Sequence, residues 1–233
     1  MSTENTTNDK IEMETLVAQF FRNDFLAVKH AYDMETLVDQ FFRNGFLVVK
    51  HAYDLETVGE CNKHWPWDED CFTQERLTGK RLFGTLTRHK KIVLPKDYRK
   101  NKLVHALANL IFERGRMYDE VEYGFINSVP GTKAQRWHRD DYNSMINEKE
   151  LRYMLVLTPL KHVEIDMGFP EFLPGLHLES DRMMEPLEGE APITACIQPG
   201  DALFIHGSVV HRGTANITDK ERTLLWTRFA TNT

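Results

Sequence analysis

The spacing of apolar positions changes character near residue 118. Before that point it is helical. METLVDQFFRNGFLVV (34–49) strings Leu37, Val38, Phe41 and Phe42 along one side of a short helix, and the apolar FLVV that follows reads as a strand. Gly45 falls between the two, where a left-handed helix terminus favours glycine. Residues 55–116 read as mainly helical or irregular. The clearest helix starts near Asp97 and runs through KLVHALANLIFERGR, with Leu103, Val104, Ala106, Leu107, Leu110 and Ile111 on one face. From Tyr118 onward short extended segments take over. DEVEYGFINSV and KAQRWHRD read as two strands around a Pro130-Gly131 turn, and LRYMLVLTPL as a strongly apolar strand. GFPEFLPGLH reads as a loop punctuated by Pro170, Pro174 and Gly175. PITACIQ, ALFIH, VVHRG and RTLLWTRFA supply further short strands. Short strands and Gly/Pro turns preceded by helices predict a mainly β sandwich or barrel with helices packed outside.

The helix–strand pattern at the start is written twice. METLVAQFFRNDFLAVKHAYD (13–33) runs directly into METLVDQFFRNGFLVVKHAYD (34–54), and the copies match at 18 of 21 positions. Two units are too few for a solenoid. Copy two has glycine at the helix end where copy one has Asp24, and it continues into the rest of the chain. The expected organisation is a disordered tail at 1–12, an appended copy at 13–33, and one domain over 34–233. The competing reading makes the extra copy a lid or an assembly surface.

Composition narrows the function classes. The 233 residues are 41% hydrophobic, enough for a real core, and carry 29 basic against 35 acidic side chains, a net charge of −6. That balance argues against a nucleic-acid binder, which needs a basic face. No apolar run approaches a membrane span, and the polar, acidic N-terminus resembles no secretory or transit signal. Three cysteines (Cys61, Cys71, Cys196) lack the spacing of a zinc site or a disulfide framework, so a cytoplasmic protein is expected.

The chemistry concentrates late in the chain. On a strand, residues i and i+2 share a face, so His138-Arg139-Asp140 sets an imidazole beside a carboxylate. With one distant histidine these make a 2-His-1-carboxylate triad, which leaves iron positions open for a co-substrate and O2. FIHGSVVHRGTANITDKER offers His206 and His211 as that histidine. Arg222 opens the next strand, where a guanidinium can clamp a carboxylate, and Arg228 shares its face.

Gln135-x-x-His138-x-Asp140, the loop Gly168 to His177, the turn Gly200-Asp201, and His211 with Asn216, Thr218 and Arg222 resemble the phytanoyl-CoA dioxygenase-like family. LVDQFFRNGFLVV is similar to the family's opening helix and strand. The resemblance covers roughly residues 35–230. It implies a double-stranded β-helix (a cupin-like jelly roll) holding Fe(II) and using 2-oxoglutarate and O2, with succinate and CO2 as products. By the same resemblance His138, Asp140 and His211 are the metal ligands, His211 displaces His206, and Arg222, Gln135 and Thr214 contact 2-oxoglutarate. A small-molecule substrate is implied, most simply hydroxylated, with no nucleic-acid or membrane partner. The oligomeric state stays open, a homodimer being one option. A cupin-like isomerase or hydrolase without 2-oxoglutarate, or a non-catalytic jelly-roll module, are the alternatives. His177, Trp137 and the HWPWDED cluster (64–70) read as packing or loop residues, and the methionines mainly as core.

Overall fold

A computed structural model describes residues 33–63, 73–74, 81–86, 94–113, 118, 120–141, 151–179 and 183–231. The chain divides into two compact units, Met1–Asp39 and Gln40–Thr233. Of the first unit only residues 33–39 are described, so the tail and copy one of the repeat, apart from its last residue Asp33, lie outside the described residues, as does the HWPWDED cluster (64–70) of the second unit. Helix α1 (Met34–Asn44) begins on Asp33, whose carboxylate accepts the Thr36 N–H at 3.2 Å. It ends at Gly45, with φ +80° and its N–H on Phe41 O at 2.8 Å. A Cβ at Gly45 would also lie 2.7 Å from His177 Nδ1, so both backbone and packing require glycine there.

Gln40–Thr233 is built on two antiparallel sheets. The strands are β1 (Phe46–Val49), β2 (Thr73–Gln74), β3 (Arg81–Thr85), β4 (Glu120–Ser128), β5 (Tyr153–Pro159), β6 (Pro170–Leu173), β7 (Ile193–Thr194), β8 (Ala202–His206), β9 (Val210–Gly213) and β10 (Arg222–Ala230). The larger sheet runs β1-β8-β5-β10-β4-β3-β2 and the smaller β7-β6-β9. This is the jelly roll expected from the late part of the chain. Side chains from both sheets meet in one core, including Phe46, Leu157, Phe172, Leu203, Val209 and Leu224. The Phe46 and Phe172 rings stack 4.3 Å apart. Burial of each such side chain contributes about 1.5–3 kcal/mol. On β10 the alternate residues Thr223, Leu225, Thr227 and Phe229 are buried as well. The Phe229 ring lies 5.3 Å from His105 of helix α4 (Lys102–Glu113), so that face of the sheet is covered by the helical layer.

Four sequence expectations need correction. Residues 55–116 do hold helices α2 (Leu55–Lys63), α3 (Lys96–Arg99) and α4, but β2 and β3 also lie there and extend the larger sheet. The single helix expected from Asp97 is two, because Asn101 accepts the Val104 N–H at 3.0 Å and starts α4 afresh. GFPEFLPGLH is more than a loop, since β6 pairs with both β7 and β9. KAQRWHRD forms no regular strand. It lies along β9 through one isolated bridge, His138 with His211.

Candidate active site

The bridge between His138 and His211 sets the geometry. Each backbone N–H donates to the other's carbonyl at 2.9 Å, which brings the imidazoles to a centroid separation of 4.4 Å. His138 Nδ1 meets Arg136 O at 2.9 Å and His211 Nδ1 meets Val209 O at 3.0 Å. A carbonyl can only accept, so both rings carry hydrogen on Nδ1 when neutral and present the Nε2 lone pair. Those two Nε2 atoms face Asp140, at 3.7 Å from Oδ1 and 3.8 Å from Oδ2. All three donors lie within 4.8 Å of one another. Two metal bonds of about 2.1 Å span at most about 4.2 Å, so one ion reaches Asp140 together with either histidine. Two imidazoles and one carboxylate on one side of an ion suit a divalent first-row metal with open positions.

Arg139, between the two donors of the segment, is buried rather than turned to solvent. Its Nη2 donates to Leu176 O and Glu179 O, each at 2.8 Å, and so anchors the segment to the turn Leu176–Leu178. Trp137 packs against Leu173, Leu176 and Val210, with the Arg212 guanidinium 4.5 Å from its ring centroid.

The cavity that holds the donors is bounded elsewhere by Arg81, Gln135, Arg222 and apolar residues of the larger sheet. Strand register explains this composition. Arg81 and Arg222 both pair with Ser128 of β4, one from each side, so a single rung of the sheet carries two guanidiniums. Arg81 Nε and Arg222 Nη2 donate to the same Ser128 Oγ, at 3.1 and 2.9 Å. Arg222 Nη1 also donates to Gly168 O. Arg222 is fully enclosed, and burial first, then the neighbouring Arg81, lower its pKa to about 9. It is still cationic at neutral pH, yet none of its hydrogen-bond partners is a carboxylate. A buried cation without a counter-charge is costly, and the arrangement suits an incoming anion.

The next rung on this face, Phe83–Ile126–Leu224, is apolar and separates the cationic end from the open side of the cavity. The phytanoyl-CoA dioxygenase (PhyH) family profile matches residues 41–224, most of this sheet framework and all three donors.

The chain belongs to the phytanoyl-CoA dioxygenase family.

Curated relatives agree on the class of name. The chain is 33% identical over 110 residues to the dioxygenase peniF of Penicillium patulum, covering 43% of this chain and 35% of that protein. It is 29% identical over 158 residues to the dioxygenase FrzG of Cladobotryum sp, covering 61% and 50%. The chain thus spans about half or less of the length of these relatives. Among solved structures, the epimerase SnoN in complex with Fe3+, alpha ketoglutarate and nogalamycin RO shares the fold. Its TM-score is 0.67 at 17% identity, over 85% of this chain and 84% of that one.

Within this family member the other sequence-predicted residues fall at different distances from the cavity. Gln135 lines it, with Oε1 accepting the Gly213 N–H at 2.9 Å. Thr214 is not among the lining residues, and its hydroxyl donates to Phe169 O at 2.9 Å. Arg228 pairs with Glu122 at 3.0 Å, so of the two arginines on that face of β10 only Arg222 reaches the cavity. His177 meets Phe42 O at 2.8 Å and ties its turn to the end of α1. His206 stays away from Asp140. Its ring is 4.9 Å from His177, and its Nδ1 accepts the Ser208 N–H at 3.1 Å. Met154 and Met167 are core, whereas Met183 is exposed. Arg81 was not singled out from the sequence. Its signal would have been RLFGT, an alternating segment opened by a cation, inside a stretch that reads as helical or irregular.

No helix among the described residues is long and apolar enough to cross a membrane.

Proposed function

We propose that the protein is an Fe(II)- and 2-oxoglutarate-dependent dioxygenase that hydroxylates a small organic substrate. One observation carries this reading: a single cavity has three metal donors at one end and the buried, acid-free guanidinium of Arg222 at the other. The donors fit a divalent iron because both imidazoles offer Nε2 and the carboxylate faces both. The guanidinium fits the far carboxylate of a dicarboxylic co-substrate, with Arg81 adding a second positive group on the same rung. The overall balance is substrate C–H plus O2 plus 2-oxoglutarate, giving C–OH, succinate and CO2.

Iron bound here would supply O2 activation coupled to decarboxylation of 2-oxoglutarate. The chain supplies position and environment. Arg136 O and Val209 O hold the His138 and His211 rings in register with Asp140. Arg222 and Arg81 orient the co-substrate by its far carboxylate, and Gln135 borders it from the loop. Phe83, Ile126 and Leu224 exclude water between the two ends. A cupin-like isomerase or hydrolase without 2-oxoglutarate would keep metal-dependent turnover in Arg222→Leu, which separates that alternative.

The test is anaerobic addition of Fe(II) and 2-oxoglutarate, read as a metal-to-ligand charge-transfer band, followed by O2 and a succinate assay. A band in the wild type that is absent in His138→Ala is the expected result. No band in the wild type, or an unchanged band in His138→Ala, overturns the proposal.

A further inference from the structure

Past Phe83, Ile126 and Leu155 the cavity continues into a second compartment of about 270 Å³, whose wall also includes Asp140. That size is near the lower end of small-molecule sites, about 300–1,000 Å³. The other described residues of its wall are Gly84, Thr85, Tyr153 and Trp226.

Two aromatic rings of this wall lie over glycines. Trp226 pairs across the sheet with Gly124, which in turn pairs with Thr85. A Cβ at Gly124 would run into the Trp226 indole and into Gly84 O, so the ring reaches over the neighbouring strand only because position 124 has no side chain. Tyr153 repeats the device on the other side: a Cβ at Gly207 would lie 2.7 Å from Tyr153 Cδ1. Indole and phenol rings are thereby held as fixed surfaces.

The compartment has little to offer an anion. Among the described wall residues Asp140 is the one formal charge, and it is negative. The nearest cation on β10, Arg228, is engaged by Glu122 at 3.0 Å. Burial, then Asp140, push the Tyr153 phenol up, so it stays neutral and adds no charge. The other described wall residues with side chains offer rings, aliphatic groups and two hydroxyls.

We propose that this compartment seats the primary substrate, and that it takes an uncharged molecule with a planar, fused-ring body laid on Trp226, the bond to be oxidised turned toward Asp140. This rests on the dioxygenase reading of the same site. It disfavours carboxylated, phosphorylated and nucleotide-linked substrates whose charged group must enter this compartment, because the one formal charge among its described wall residues, Asp140, would repel that group.

The test uses the full chain with Fe(II) and saturating 2-oxoglutarate under anaerobic conditions, and equilibrium dialysis against two probes, 2-naphthalenemethanol and 2-naphthoate. The neutral alcohol is expected to bind at least about tenfold tighter than the carboxylate. Trp226→Ala should weaken the alcohol by about tenfold, and Gly124→Ala, which displaces the indole without removing it, should weaken it by a similar factor. Thr85→Lys places a cation in the wall and should invert the preference. Equal or tighter binding of 2-naphthoate by the wild type, undiminished alcohol binding in Trp226→Ala, or an unchanged preference in Thr85→Lys overturns the proposal. If Trp226→Ala does not fold, the wild-type comparison and Thr85→Lys still decide. The charge-transfer band separates the two readings: its absence overturns the dioxygenase, and dialysis with the metal-free chain then tests the compartment alone.

Discussion

Two pairs of histidines lie in this protein at nearly the same spacing, and they are built for opposite ends. His138 and His211 have centroids 4.4 Å apart, His177 and His206 4.9 Å. In the first pair both Nδ1 atoms face backbone carbonyls, and a carboxylate stands before both Nε2 atoms. In the second, His206 Nδ1 accepts the Ser208 N–H, so its proton belongs on Nε2, and His177 Nε2 is turned to Phe42 O. Burial and the neighbouring His177 lower the His206 pKa to about 3. Nearness of imidazoles therefore does not make a metal site. What decides is which ring nitrogen the backbone occupies and whether a carboxylate completes the set.

The largest expected effect breaks the first pair at its carboxylate. Asp140→Ala should weaken Fe(II) binding by at least about 100-fold, since removing a donor exceeds the 10–100-fold cost of losing a supporting hydrogen bond. Anaerobic Fe(II) titration measures it, and an affinity within a few fold of wild type would remove Asp140 from the donor set. At the other end of the same cavity, Arg222→Leu should cost about 2–5 kcal/mol of 2-oxoglutarate binding, roughly 30-fold or more. The wild-type affinity should itself fall as pH rises through about 9, because the guanidinium loses its charge there. An affinity flat from neutral pH to beyond that point would show that Arg222 does not hold the anion.

The second pair is tested through stability. His206→Asn should leave Fe(II) binding unchanged and destabilise the fold by about 1–3 kcal/mol, read by urea unfolding. The sign of its pH dependence follows from a folded-state pKa below the unfolded value near 6.5. As pH falls from about 6.5 toward 3 the unfolded chain takes up a proton at His206 that the folded chain refuses. The wild type therefore loses stability over that window, and the gap to His206→Asn should narrow. A gap that widens on acidification would contradict a buried neutral His206. The smallest effect is at Arg212, which pairs with Glu171 at 2.8 Å and covers Trp137. Arg212→Met should cost no more than about 1 kcal/mol.

Several of these elements could be read before folding was considered. RTLLWTRFA is β10 as its apolar pattern indicates, and ALFIH is β8. The residues 138, 140 and 211, expected near one another on the family's pattern, do meet in one cavity. Other parts were illegible for identifiable reasons. RLFGT has too few alternations to stand out as a strand beside helices, and its place in the sheet comes from pairing with β4, about 40 residues away. PEFL looked like loop because two prolines and a glycine surround it, yet it is a short strand between β7 and β9, where Pro170 is tolerated at the strand's first position. Thr214 looked available as a co-substrate contact, but its hydroxyl is used on Phe169 O.

Local spacing alone determined that an imidazole and a carboxylate would travel together in His138-Arg139-Asp140, and that Arg222, Leu224, Trp226 and Arg228 would share a strand face. Covalent geometry sets those relations, and they survive any fold that keeps the segments extended. Only the tertiary structure decided the rest: both imidazole Nε2 atoms turned to the Asp140 carboxylate, Arg81 joining Arg222 on one rung, and Trp226 lying over Gly124. Those are matters of register between distant strands. A shift of one residue would turn each of these side chains to the opposite face, and no local pattern encodes that choice.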